Sequence, residues 1–96
     1  MTPEEVTQTL LHAAKAGDLD AARAAIENGA DVNFSDHSGN TPLHLAAEND
    51  HAGIAQLLIK KGAYINATDD GRRTPLNRAA ANGHAEIVAL LQDPTK

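Results

Sequence analysis

The chain repeats itself. Thr41-Pro42-Leu43-His44 returns as Thr74-Pro75-Leu76-Asn77, a shift of 33 residues that also carries Ala46-Ala47 onto Ala79-Ala80, His51 onto His84 and Leu57-Leu58 onto Leu90-Leu91. The same shift backwards carries Leu43 onto Leu10, Ala46-Ala47 onto Ala13-Ala14, Gly62-Ala63 onto Gly29-Ala30 and Ile65-Asn66 onto Val32-Asn33. Repetition at this period constrains the architecture before any helix is assigned. A unit this small cannot bury its own apolar face, so copies must stack in one dimension and share a continuous core.

Each unit carries its own start and stop signals. Thr41 is a good helix N-cap and Pro42 suits the first turn, where its missing N–H is no loss, so a helix is expected from there to about Asn49. Thr74-Pro75 repeats the signal. Leu43, Ala46 and Ala47 fall on one face, with two methyl-sized residues that let a neighbour approach closely. A second helix is expected over about 52–61, presenting Ile54, Leu57 and Leu58 and ending at Gly62, a natural left-handed cap. Such short helices are marginal alone, which again requires stacking.

These residues resemble the ankyrin repeat. Its pattern of Asp-x-x-Gly-x-Thr-Pro-Leu-His, then Ala-Ala, then Leu-Leu-x-x-Gly-Ala and a closing Asn is visible from Asp36 to Asn66. The resemblance implies an all-α fold, a helical solenoid of helix-turn-helix pairs joined by β-turn or hairpin loops. One domain, 1–96, is expected, divided into an N-terminal capping repeat 1–33, a full middle repeat 34–66 and a C-terminal capping repeat 67–96. Thr2-Pro3-Glu4-Glu5 opens a longer, polar capping helix. The second helix of the first unit, 18–28, is alanine-rich. Gln92-Asp93-Pro94 replaces the usual turn with a polar helix stop, so the chain is expected to be complete.

Composition removes several function classes. There is no cysteine, so neither disulfides nor thiolate metal sites are available. The formal charge of −5 repels a phosphate backbone and argues against nucleic acid. No stretch approaches the ~18 apolar residues of a membrane span, and no basic-then-apolar leader opens the chain. A cytoplasmic monomer without cofactor is expected. Asp36-His37-Ser38 has the residue types of a hydrolase triad, but neighbours on one turn cannot converge on a point, and no enzyme activity is expected. The histidines lack His-Glu-x-x-His spacing, and His51 and His84 are expected to hydrogen-bond structurally at the start of each second helix, while the resemblance implies that His44 bonds backbone near the hairpin. Asp31 to Ser35 imitates a calcium loop, yet Asp36 and Pro42 stand where Gly and Glu are needed. No metal site follows. The Asn33 and Asn66 glycosylation patterns arise from the repeat itself and have no secretory signal before them.

What remains is a surface. The resemblance implies that hairpin tips and the exposed face of each first helix line a concave groove that binds another protein. By matching position these are Ser35, His37, Ser38, Asn40, Glu48 and Asn49 of the middle repeat, Thr68, Asp70, Arg73, Ala81 and Asn82 of the third, and Lys15 and Ala16 of the first. The resemblance also implies that Asn66, with Leu58 eight residues before it, can be hydroxylated by an asparaginyl hydroxylase; Asn33 has Ala25 there. The alternative function is a designed or consensus-derived scaffold with no natural partner. Asp50 in a glycine position, Gly53 within a helix and Arg78 at a usually apolar site argue against it.

Three departures mark the surface. Glycine moves from the Gly39 position to Gly71, so Asp70-Gly71 is expected to supply the positive-φ residues of a differently shaped turn. Arg72-Arg73 can offset Asp69 and Asp70 or meet an acidic partner segment. Tyr64, the one tyrosine, can anchor a contact or cover its turn.

Overall fold

The computed structural model describes residues 2–92, and the Asp93-Pro94 stop lies outside them. Among the described residues six helices form: α1 Pro3–Ala16, α2 Leu19–Glu27, α3 Pro42–Glu48, α4 Ala52–Lys60, α5 Pro75–Ala81 and α6 Ala85–Gln92. Among the described residues there is no strand, and none of the helices is long and apolar enough to cross a membrane. The all-α stack follows the repeat. First helices α1, α3 and α5 pack side by side, and second helices α2, α4 and α6 form the other layer.

The starts are built as the sequence requires. Thr2 Oγ1 accepts from the Glu5 backbone N–H, Thr41 Oγ1 from that of His44, and Thr74 Oγ1 from that of Asn77. In each case the side chain at the third helical position reaches back to the cap's own N–H, closing a reciprocal pair. Between the paired helices the chain turns through the left-handed region at matched positions, Gly17 (φ 86°), Asp50 (φ 64°) and Gly83 (φ 73°). Aspartate is one of the few side chains that visits this region at modest cost.

Leu10, Leu43, Ile54, Leu58 and Ile87 are wholly or almost wholly buried, and Ala14, Ala46, Ala47 and Ala79 lie between the first helices with no exposed surface. Each large aliphatic side chain contributes about 1.5–3 kcal/mol by leaving water. The alanines contribute proximity.

That proximity reaches the loops. The two hairpin loops have one geometry, contrary to the expectation that the second would differ. The Asp36 N–H donates to Asn40 O at 3.0 Å and the Gly39 N–H to Asp36 O at 2.9 Å; the Asp69 N–H donates to Arg73 O at 2.9 Å and the Arg72 N–H to Asp69 O at 2.9 Å. The positive-φ position did not move with the glycine. Arg72 itself adopts φ 62° where Gly39 has φ 79°, and Asp70 and Gly71 do not enter that region. The pattern of bonds around the aspartate dictates the turn, and Arg72 bears its strain. Gly39 cannot be replaced so easily, because the next loop stacks on it: a Cβ there would lie 2.9 Å from Asp69 Cα and from the Asp70 nitrogen. Arg72 is exposed.

The matched positions therefore respond oppositely to mutation. Gly39→Ala is expected to lower unfolding free energy in urea by about 2 kcal/mol or more, combining left-handed strain with a backbone clash. Arg72→Gly is expected to raise it by about 1 kcal/mol or less, since only the strain is relieved.

Candidate partner-binding surface

Two kinds of bond join the repeats along the hairpin side. The Asp70 N–H donates to Ser38 O at 3.0 Å, tying tip to tip through backbone. His44 Nε2 lies 2.8 Å from Arg73 O, while its Nδ1 accepts from the Thr41 N–H at 3.2 Å. One ring thus closes its own helix cap and holds the next loop, which requires the neutral tautomer protonated at Nε2. His51 and His84 act in the other direction: their Nε2 atoms lie 3.1 Å from Lys15 O and 2.9 Å from Glu48 O, each a carbonyl of the preceding repeat. These three histidines are structural, as their positions in the repeat suggested. Among the described residues no three His, Cys, Asp or Glu side chains gather to hold a metal ion.

A buried cluster joins the same surface, built from residues that stand far apart in the sequence. The Asp69 side chain is 1% exposed and that of Arg78 is 6% exposed. Arg78 Nη2 and Nε donate to Asp69 Oδ2 at 2.8 and 3.1 Å. Arg78 Nη2 also donates to Asn40 Oδ1, and Nη1 lies 3.5 Å from Glu48 Oε2. Asp69 Oδ1 accepts from the Gly71 and Arg73 N–H groups at 2.8 and 2.9 Å, and Oδ2 accepts from Arg73 Nε at 3.1 Å. Arg78 was visible as a misfit at an apolar position. The missing signal was its partner, an aspartate nine residues earlier, because in the middle repeat the matched pair is Asp36 and Leu45, which cannot form an ion pair.

Charge follows from these contacts. The N–H of Arg73 holds the Asp69 carboxyl far below the usual carboxylate range, Arg78 and the Gly71 N–H adding to it against burial. For Asp36 burial acts upward, but the N–H groups of Asn40 and Ser38 outweigh it and the pKa is lowered. Burial pushes His44 below the ordinary imidazole value, more than its bond to Arg73 O restores.

The expected binding residues divide accordingly. Ser35, His37, Ser38, Thr68 and Asp70 stand exposed on the loops, and Lys15, Ala16, Asn49, Ala81 and Asn82 are exposed at the C-terminal ends of the first helices. Asn49 Nδ2 donates to Leu45 O at 2.9 Å and Asn82 Nδ2 to Arg78 O at 2.8 Å, local bonds that finish α3 and α5. Asn40 and Glu48 are half-buried members of the Arg78 cluster. Arg73 is 59% exposed and offsets Asp69, while Arg72 is free of that pair. Tyr64 is 68% exposed, a large apolar side chain standing mostly in water. Its N–H donates to Asn33 Oδ1 at 2.7 Å, and Asn33 Nδ2 donates to Gly62 O at 3.2 Å, so Asn33 pins the first repeat to the second.

Stability should fall in two steps on acidification. His44 has a folded pKa below its unfolded value, so its contribution is present above about pH 6.5 and is lost as pH falls below that. Asp69 and Asp36 are depressed too, so theirs persists above about pH 4 and is lost as pH falls toward the folded values. In urea titrations, His44→Asn, which keeps the capping geometry used by Asn77, should flatten the leg that begins below about pH 6.5 while leaving the acid leg. Arg78→Leu should destabilise more than Arg73→Ala, because it strands a buried carboxylate whereas the Arg73 pair is largely in water.

Comparisons with known proteins agree with the geometry. The family described as "Ankyrin repeats (3 copies)" matches residues 10–96. The chain is 49% identical over 47 residues to the mouse 60 kDa lysophospholipase, covering 49% of this chain and 8% of that protein. It is 51% identical over 39 residues to the Caenorhabditis elegans ankyrin repeat and LEM domain-containing protein 1 homolog, covering 41% and 6%. To the Drosophila melanogaster neurogenic locus Notch protein it is 40% identical over 57 residues, covering 58% and 2%. The chain spans less than a tenth of each of these relatives, and the enzyme named among them is matched over that small share alone. With the family matched over nearly its whole length, this chain belongs to the ankyrin-repeat family.

Proposed function

We propose that this chain is a non-catalytic module that binds a partner protein through the surface formed by its hairpin tips and first helices. Ankyrin repeats generally mediate protein–protein interaction. The observation that carries the reading here is the rigid linkage of the two tips. The Asp70–Ser38 bond and the Arg78 cluster hold exposed polar side chains at fixed spacing. A surface already ordered before binding loses less entropy on association. The partner is a protein rather than nucleic acid, given the charge of −5, and the module acts as a cytoplasmic monomer.

Within that surface the residues have two roles. His37, Ser38, Asn49, Thr68 and Asp70 meet the partner, as do Ser35, Ala81 and Asn82 toward the edges. Asn40 and Glu48 position their neighbours through Arg78, and Arg73 adds a salt-dependent term toward an acidic partner. Interface energy concentrates at the centre, where water is excluded. With a partner captured from lysate and identified, His37→Ala is expected to weaken binding about fivefold or more without lowering Tm, Asn49→Ala to weaken it alongside a small fall in Tm from the lost bond to Leu45 O, and Lys15→Ala to stay closer to neutral. Glu86→Ala, on α6, should change nothing. Loss of binding from Glu86→Ala with His37→Ala silent would reject this surface.

The same reading includes Asn66 as a site for an asparaginyl hydroxylase. Asn66 is exposed, and Leu58 stands eight residues before it. Asn33 is held by both its side-chain atoms between Gly62 and Tyr64. After incubation with such an enzyme, mass spectrometry should find a 16 Da addition on the peptide carrying Asn66 before any on Asn33. The reverse order would remove the assignment.

A further inference from the structure

A second surface lies on the other layer of the stack. α2 and α4 run beside each other, and between them is a groove of ≈ 370 Å³. Its floor is apolar, formed by the half-buried Leu19, Ile26 and Leu57. Arg23, Lys60 and Lys61 rim it, against the single carboxylate of Glu27. In a chain of net charge −5 with eight Lys and Arg, this is an inversion of sign. Two of the remaining cations, Arg73 and Arg78, are bound to Asp69. Among the described residues Lys60 and Lys61 enter no ion pair, and Arg23 has only an exposed contact with Asp20 at 3.9 Å.

Gly53 opens the groove, and nothing within the fold asks for a glycine there. It is the second residue of α4, where the helix dipole favours an acid; the matched residues of the other repeats are Asp20 and Glu86. Its φ is not positive. A Cβ at this position would meet only Leu19 Cδ2, at 3.7 Å, an ordinary contact. Glycine weakens a helix relative to alanine, so here it supplies one thing: open space over Leu19, without the negative charge that its counterparts carry.

We propose that this groove docks an acidic segment of a partner protein, which inserts one apolar side chain beside Gly53 and pairs its carboxylates with Arg23, Lys60 and Lys61. The apolar floor and the cationic rim are complementary to that segment together, whereas a nucleic acid would use the rim alone. The site is separate from the hairpin surface and does not depend on it.

The test titrates the ¹⁵N-labelled chain with a synthetic amphipathic peptide of Leu and Glu, its twin carrying Lys in place of Glu, and a single-stranded oligonucleotide. Saturable binding of the Glu peptide is expected, with amide shifts centred on Leu19, Gly53, Leu57 and Lys60 and unmoved tips at Ser38 and Asp70. Gly53→Leu should fill the slot and abolish those shifts, its folding checked by thermal melting. Independently, the surface pair Lys60→Glu/Lys61→Glu should weaken binding about tenfold in low salt and less in high salt. The proposal is overturned by absence of saturable binding, by equal or tighter binding of the Lys twin or the oligonucleotide, by shifts centred on the tips, or by indifference to both variants.

Discussion

The close approach of the first helices governs the rest of this molecule. α1, α3 and α5 meet through alanines, and Ala14, Ala46, Ala47 and Ala79 have no exposed surface. At that separation the hairpin loops that lead into α3 and α5 are brought into contact as well. The tips bond backbone to backbone, His44 reaches the carbonyl of Arg73, and Gly39 must be glycine because its neighbour's main chain occupies the space of a Cβ. A larger residue between the helices would separate the loops and break these bonds together. Packing at methyl scale and hydrogen bonding at the surface are therefore one constraint.

Most of the fold was legible because it is written repeatedly. Thr-Pro at Thr41 and Thr74 starts helices where expected, and Gly62 at φ 92° ends the turn after α4. Local signals of this kind act within a few residues, and sequence spacing captures them. The second hairpin departs from its local signal for a related reason: a glycine beside the matched position points to a shifted turn that the structure does not make. In the folded chain Asp69 collects the same N–H groups as Asp36, and those bonds outweigh the strain of one left-handed arginine.

The binding surface was less legible. Asn40 and Glu48 look like free polar side chains in sequence, because nothing local announces Arg78, which comes 38 residues after Asn40 and 30 after Glu48. Position in a repeat gives the side of the stack on which a residue lies. It does not say whether a neighbouring repeat has already claimed its hydrogen bonds, and that depends on single departures such as arginine in place of the leucine at position 45.

Arg78 is also the residue whose energetic role differs most from its appearance. A buried ion pair often adds little net stability, because desolvation offsets much of the Coulombic gain, and leucine at the matched position shows that the repeat folds without one. What Arg78 adds is connection. Through Asp69 it binds its own hairpin, through Asn40 the preceding hairpin, and through Glu48 the preceding first helix. A leucine could pack against these elements but could not fix their register, since apolar contact is non-directional. A guanidinium with donors in a rigid plane can do so. The tips are held in one relative position by a group whose value lies in direction rather than in net energy, and a surface meant to present side chains at fixed spacing needs that more than it needs another buried methyl.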